Sequence, residues 1–291
     1  MNAHRGIARL SHTVMVFLSL AAILPFVLLI IASFTDNYVA VTEGFSFTPS
    51  KWSVDAYRYI IQEKDTMLRA YGITILVTFV GTLTGLMIST LLGYAISNSE
   101  LPGRKVLTFL VVFTMLFNGG LVPTYLVYTN IFGIKDTLLA LIVPSLLMSG
   151  FHVILIRNYF ITGIPSALYE AARIDGAGEF YIFFRIALPL SKPILATVGL
   201  LMGITYWNDW QNGLYYLNDT RLYSIQNILN RINENISFIA SNSTSGVKIS
   251  DLPSNTIRMA IAVVGILPII CIYPFFQEYF VKGIAVGAVK E

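Results

Sequence analysis

Six stretches of this 291-residue chain contain no Asp, Glu, Lys or Arg: Leu10–Thr35, Ala70–Ser99, Val106–Ile134, Thr137–Ile156, Pro193–Asn208 and Met259–Gln277. No other feature restricts the possible folds so sharply. A bilayer core of about 30 Å is crossed by roughly 20 apolar residues of helix. Five of the stretches have that length outright, and Pro193–Asn208 attains it by running past Asp209. The expected count is six spans, with five as the alternative, and six put both termini on the same side. Composition agrees: 55% of residues are hydrophobic and 12% are charged, against about 25% charged in soluble domains. The net charge of +3 and the lack of a basic run give no footing for nucleic acid.

Backbone groups in lipid must be satisfied internally, so helices carry the spans. The chain shows none of the two-residue alternation of a porin strand. The expected fold is an all-α polytopic membrane protein. Pro25, Pro123, Pro144 and Pro268 fall inside spans and can kink them. Gly81-x-x-x-Gly85 allows close helix approach, within one chain or between two. The N-terminus has a basic start (Arg5, Arg9), but the charge-free run from Leu10 exceeds the roughly 7–15 residues of a signal-peptide core. It reads as a retained first span. Cys271 is the single cysteine, which excludes an internal disulfide and any Cys-Cys metal site. His152 reads as a hydrogen-bonded packing residue, and no metal site is expected.

Orientation is nearly silent in the charges. With both termini inside, the 19 Lys and Arg divide almost evenly between the two sides, so the bias toward cytoplasmic cations gives little direction. Two long loops, Asp36–Arg69 and Gly213–Ile257, fall on the same face. Apolar residues from Ile225 to Ile236 recur at helical spacing, which predicts a short outer helix followed by a flexible stretch as far as Gly246.

A polar hairpin lies between the fourth and fifth spans, within residues 159–192. Ser166 can cap a helix start, and Ala167–Arg173 follow, with Glu170 early in the helix and Ala171 and Ala172 adding propensity without bulk. Gly176-Ala177-Gly178 permits a tight turn, and a second short helix is expected over Phe180–Ile186. Small residues on one face admit a close partner, and Glu170 and Asp175 offer carboxylates to its Arg or Lys. The competing reading is an amphipathic helix lying on the bilayer, which the scarcity of basic residues disfavours.

Glu170-Ala171-Ala172, then Asp175-Gly176-Ala177, then Ile186-x-Leu188-Pro189, resembles the "EAA" loop of importer-type ABC transporter permeases of the carbohydrate-uptake branch. The tail Gln277–Gly283 with Gly287–Lys290 is similar to the C-terminus of the smaller maltose-type permease subunit. Asn118–Tyr125 resembles an oligosaccharide-importing subgroup. The resemblance implies a cytoplasmic coupling-helix hairpin and both termini in the cytoplasm of a bacterial or archaeal cell. It implies a heterodimer with a second permease subunit, two copies of an ATPase subunit and an extracytoplasmic solute-binding protein. ATP and Mg would be used by the partner, and no cofactor by this chain. The ATPase groove would grip Glu170, Ala171, Ala172, Asp175, Gly176 and Ala177, and the tail would lie near it. The implied organisation is a first span and outer loop (1–69), a five-span core (70–281) and a cytoplasmic tail (282–291).

The chain has no Gly-x-x-x-x-Gly-Lys-Ser/Thr phosphate loop, so an energised transporter built from it needs a separate motor. Solute contacts are expected where polar groups meet aromatic faces: Tyr206, Trp207, Asn208, Asp209 and Trp210 at the outer end of the fifth span, and Asn118 within the third. The same aromatic cluster fits an interfacial belt, and Asn118 fits an interhelical bond. Both alternatives stay open. An ion-coupled carrier is disfavoured because the span centres lack ionisable groups. An intramembrane enzyme is disfavoured because no His-Glu-x-x-His or Gly-x-Ser-x-Gly occurs. A scaffold protein would have no use for the hairpin. An importer of a non-sugar solute is the nearest alternative.

Overall fold

The computed structural model describes residues 2–241 and 254–288. The part of the expected flexible stretch beyond residue 241 and the last three residues of the tail lie outside them, as do the side chains of residues 2–9, 235–241, 254, 273 and 275–288. Among the described residues there is no strand, only an isolated antiparallel bridge between Thr35 and Trp52. The helices are α1 (Asn2–Ser33), α2 (Asn37–Thr42), α3 (Asp55–Gln62), α4 (Lys64–Ser97), α5 (Arg104–Leu116), α6 (Leu121–Leu126), α7 (Leu139–Ile142), α8 (Gly150–Thr162), α9 (Ser166–Ile174), α10 (Glu179–Ile182), α11 (Leu188–Leu190), α12 (Lys192–Trp207), α13 (Gln211–Tyr216), α14 (Ile225–Ser241) and α15 (Ser254–Ala288). Single π turns at Val127–Ile131 and Phe183–Ala187 extend α6 and join α10 to α11.

Among the described residues, three helical segments are long and apolar enough to cross a membrane: Leu10–Ser33, Lys64–Ser97 and Asn255–Ile272. Two further runs qualify only as bent pairs. Arg104–Leu116 and Leu121–Ile131 meet at 117°, and Glu179–Leu190 and Lys192–Trp207 meet at 77°. The third charge-free run is therefore not one straight helix. Its bend lies at Asn118-Gly119-Gly120, ahead of Pro123. Phe117 is extended, Gly120 has φ +87, and the Asn118 side chain accepts the Gly120 N–H at 2.9 Å. Pro123 itself sits in the first turn of α6, where its missing N–H costs nothing. The fourth run is likewise divided, into the short α7 and the longer α8, by the irregular segment 143–149 containing Pro144.

The chain forms two compact units, residues 1–68 with 228–268, and residues 69–227 with 269–291. In the first, Asp36 caps α2 and pairs with Lys51 at 2.8 Å. Tyr57 stacks on Phe34 with ring centroids 4.7 Å apart and shares a 2.8 Å hydrogen bond with Ser33.

The second unit holds both candidate sites. Its larger core joins α8 to α12 through Ile156, Phe160, Val198 and Met202, and takes in Phe183 and Ala187 from the π turn. A second core sets Val77 of α4 against Ala140, Leu141, Ile142, Tyr206 and Tyr216. The Gly81-x-x-x-Gly85 pattern serves packing within this unit. A Cβ on Gly81 would lie 2.4 Å from the Tyr206 ring, and one on Gly85 would lie 2.6 Å from the Leu147 carbonyl oxygen. These contacts are too close for any side chain.

Candidate functional site

The hairpin begins at Pro165, whose extended backbone (φ −58, ψ 129) occupies the flanking position before α9. Ser166 is therefore already helical and makes no capping bond, contrary to the expectation from its type. Glu170 is the fifth residue of this nine-residue helix, mid-helix rather than in the first turn. The end of α9 is closed by a Schellman pattern: Ala177 N–H donates to the Ala172 carbonyl at 2.9 Å and Gly176 N–H to that of Arg173 at 3.0 Å. Gly176 has φ +77, a conformation that a side chain would strain. The chain then runs into a second arm longer than Phe180–Ile186, from Glu179 to Leu190.

The two arms are fastened together and to α4. Arg173 Nε donates to Glu179 Oε1 at 2.9 Å, and Tyr94 of α4 donates its hydroxyl to Glu179 Oε2 at 3.0 Å. The carboxylate of Glu179, with that of Glu100 farther off, holds the Arg173 guanidinium above its usual pKa. Tyr94 is wedged among Phe160, Tyr169 and Phe183, with centroid separations of 5.4, 6.4 and 5.0 Å. Tyr159 bonds the Leu190 carbonyl at 3.1 Å. One face of the hairpin is thus committed to its own chain.

The other face is bare. Glu170, Ala171, Asp175 and Gly176 are exposed, Ala177 is half-buried and Ala172 is buried. Ile174 is 85% exposed and Phe180 is 79% exposed, a large amount of apolar surface for a segment so rigidly held. Sequence reasoning identified the carboxylates and the small residues. It missed Ile174 and Phe180, which an apolar residue directly beside a turn could have signalled, and it missed Tyr94.

At the far end of α12 the expected solute residues separate. Tyr206 and Trp207 are buried, and Tyr206 donates its hydroxyl to the Ile142 carbonyl at 2.9 Å. Asn208, Asp209 and Trp210 line a cavity of about 330 Å³ together with Thr205, Gln211, Leu146 and Ile204. Asn208 is exposed, and its oxygen accepts from Gln226 at 3.3 Å. Asp209 accepts from the Asn212 backbone at 3.4 Å, while the Asn212 side chain bonds the Pro144 carbonyl at 3.0 Å. The floor is thereby tied to the irregular segment between α7 and α8. Asn118 stands apart, exposed at the α5–α6 bend.

His152 is half-buried, and its Nδ1 has no hydrogen-bond partner, so the bond expected of it does not form there. No group of His, Cys, Asp and Glu suited to a metal ion occurs among the described residues.

Residues 81–286 match the family model described as a binding-protein-dependent transport system inner membrane component. The chain is 40% identical over 272 residues to the polygalacturonan/rhamnogalacturonan transport system permease protein YtcP of Bacillus subtilis, covering 94% of each chain. It is 29% identical to the arabinooligosaccharides transport system permease protein AraQ of Halalkalibacterium halodurans, covering 94% of this chain and 93% of that one. Among solved structures it is similar to a bacterial ABC transporter involved in the import of the acidic polysaccharide alginate. The TM-score is 0.78 at 29% identity, covering 96% of this chain and 98% of that one.

Proposed function

The chain belongs to the inner membrane components of binding-protein-dependent transport systems, and from that membership we propose that it is one of two unlike permease subunits of an ATP-driven importer of oligosaccharides. As a permease component it is a transport subunit and not an enzyme. The sugar class is supported by the relatives, whose names specify pectic polysaccharides and arabinooligosaccharides, and by the Asn208–Gln211 cavity, where an indole stands beside amide and carboxylate groups. Aromatic faces cover the apolar faces of sugar rings, and the polar groups bond hydroxyls. The full solute path is completed by the partner permease.

The observation that carries the mechanical part is the hairpin's two-sidedness. Glu179 clamps it to Arg173 and Tyr94 on one side, while Glu170, Ala171 and Ile174 are presented on the other. A segment rigid toward its own chain and unsatisfied toward the outside transmits force rather than absorbing it. In the proposed assembly each permease docks one of two ATPase subunits, which use ATP and Mg. Glu170 and Asp175 pair with cations of the ATPase groove, and Ile174 fills an apolar hollow in it. Closure of the motor displaces α9, and the second arm passes the displacement into α12. Ala172 is buried against its own chain and sets the hairpin's position instead of touching the groove.

This reading places the hairpin and both termini in the cytoplasm and resolves the spans as six. Two crossings are broken ones, α5 with α6 and α7 with α8. The cytoplasmic part of the α10–α12 pair lies along the surface before α12 enters the bilayer. The organisation is a first span with its outer loop over 1–69, a five-span core over 70–281 and a tail over 282–291. The decisive variant is Glu170→Lys in the assembled transporter. The chain should insert and assemble with its partner permease, uptake should be abolished, and the ATPase should dissociate more readily. Unaltered uptake would overturn the docking role.

A further inference from the structure

A second cavity, of about 660 Å³, opens where the connection from α4 to α5, the start of α5 and the flank of α8 converge. Arg104, Lys105 and Arg157 line it with Thr108, and Phe109 and Val112 provide an apolar wall. Arg104 Nε and Arg157 Nε donate to one and the same acceptor, the Ile96 carbonyl, at 2.9 and 3.2 Å. Two half-buried guanidiniums are therefore held side by side. A carbonyl in the last turn of a helix attracts a cation, but its partial charge does not offset two whole ones. Among the described residues no carboxylate forms an ion pair with Arg104, Lys105 or Arg157.

A further feature points the same way. Helix α5 begins at Arg104 with no side-chain cap and no acidic residue in its first turn. Its positive dipole end thus adds to the three cations where an acid would ordinarily oppose it. An uncapped helix start and three cations without a carboxylate partner suit an anion site with tetrahedral oxygens. The apolar wall narrows the choice of anion. Phe109 is 64% exposed and Val112 follows one turn farther along α5, so whatever brings the charge also brings a hydrocarbon segment.

We propose that this cavity binds the phosphate headgroup of an anionic phospholipid, with the first carbons of its acyl chains laid against Phe109 and Val112. Basic pockets between transmembrane helices hold such headgroups elsewhere. The site draws on the chain's membrane residence and not on the hairpin's docking role. Bound there, the lipid would neutralise the cations that crowd the Ile96 carbonyl and brace the junction of α4 with α5.

The test uses the full chain purified in a neutral detergent without any ATPase, so its outcome is independent of the coupling proposal. Short-chain phosphatidylglycerol, short-chain phosphatidylcholine and inorganic phosphate are compared by thermal unfolding and by lipid retention in native mass spectrometry. Phosphatidylglycerol should raise Tm and remain bound, with the effect shrinking as salt rises. Phosphatidylcholine should do neither. Because Arg104 and Arg157 also brace Ile96, the informative variant is Lys105→Gln, at an exposed position. Lys105→Gln should weaken phosphatidylglycerol binding about five-fold, the worth of one cation at an anionic headgroup. The proposal is overturned if phosphatidylcholine stabilises equally well, or if Lys105→Gln binds phosphatidylglycerol like the parent chain. It is also overturned if inorganic phosphate alone reproduces the shift, since the ligand is then a free anion and not a lipid.

Discussion

Tyr206 and Asp209 stand three positions apart and have opposite surroundings. Tyr206 is 3% exposed, with its ring against Gly81 and its hydroxyl on the Ile142 carbonyl. Asp209 lines the cavity that Trp210 and Gln211 complete. Substitution should separate the two. Tyr206→Phe should cost about 1 kcal/mol of stability, the net value of one buried hydrogen bond, and leave solute response intact. Asp209→Asn should leave stability nearly unchanged and shift the solute concentration needed for stimulated ATP turnover by roughly 3- to 10-fold, again about one hydrogen bond. A titration of ATPase stimulation against oligosaccharide, paired with thermal unfolding, checks both. Sequence alone placed the two residues in one cluster, because composition records that aromatic and polar groups are neighbours in the chain. It does not record which of them meets a glycine on another helix.

At the scale of the element, the hairpin was legible where its determinants are local. Gly176 marked the turn, and the Ala-rich segment marked α9. The residue that anchors it, Tyr94, is 85 positions away from Glu179 and leaves no local trace. Tyr94→Phe should cost about 1 kcal/mol and loosen the arms without unfolding the chain. Amide exchange should quicken across Ser166–Ile182 while the α12 interior stays protected; an unchanged hairpin would mean that the aromatic wedge alone positions it.

The opposite face has its own clasp. Asp136, at φ +56, accepts the backbone N–H groups of Asn218 and Asp219, and its own N–H donates to the Tyr216 carbonyl at 3.0 Å. Those two N–H groups hold its carboxyl below the usual aspartate range. A group whose folded pKa is depressed stabilises fully above its unfolded value, about 3.9, and loses that contribution as pH falls through the folded value. The clasp should therefore be intact at neutral pH and release only in acid below about pH 4, read as lost exchange protection at Asn218 and Asp219. Asp136→Asn should show weakened protection at every pH.

For the molecule as a whole, charge-free runs located the apolar segments because lipid solvation acts on composition. They did not reveal continuity. The third run bends by 117° at Asn118–Gly120, and the fourth is interrupted over 143–149. A hydrophobic residue reads the same in a straight helix and in a turn at the same depth, so the interruptions are set by backbone partners such as the Asn118 side chain on Gly120. Orientation was hidden for a different reason, namely that a six-span arrangement divides the 19 cations almost evenly between the two faces. Labelling decides it. In a Cys271→Ser background, a cysteine at Asp175 should react with an impermeant maleimide only from the cytoplasmic side, and one at Asp219 only from outside. The reverse pattern would invert the topology and remove the hairpin from any cytoplasmic motor.

Gly81 and Gly85 bring α4 so close to Tyr206, Met202 and the Leu147 carbonyl that no slack remains between them. Helices seated without clearance cannot shear past one another by small steps. Under the coupling proposal, a push delivered at the inner surface must carry α4 and α12 together, and the cavity floor at Asn208–Gln211 must travel with them. Such a gate would swing as one slab, so opening at one membrane face and closing at the other would be a single event with no leaky halfway state.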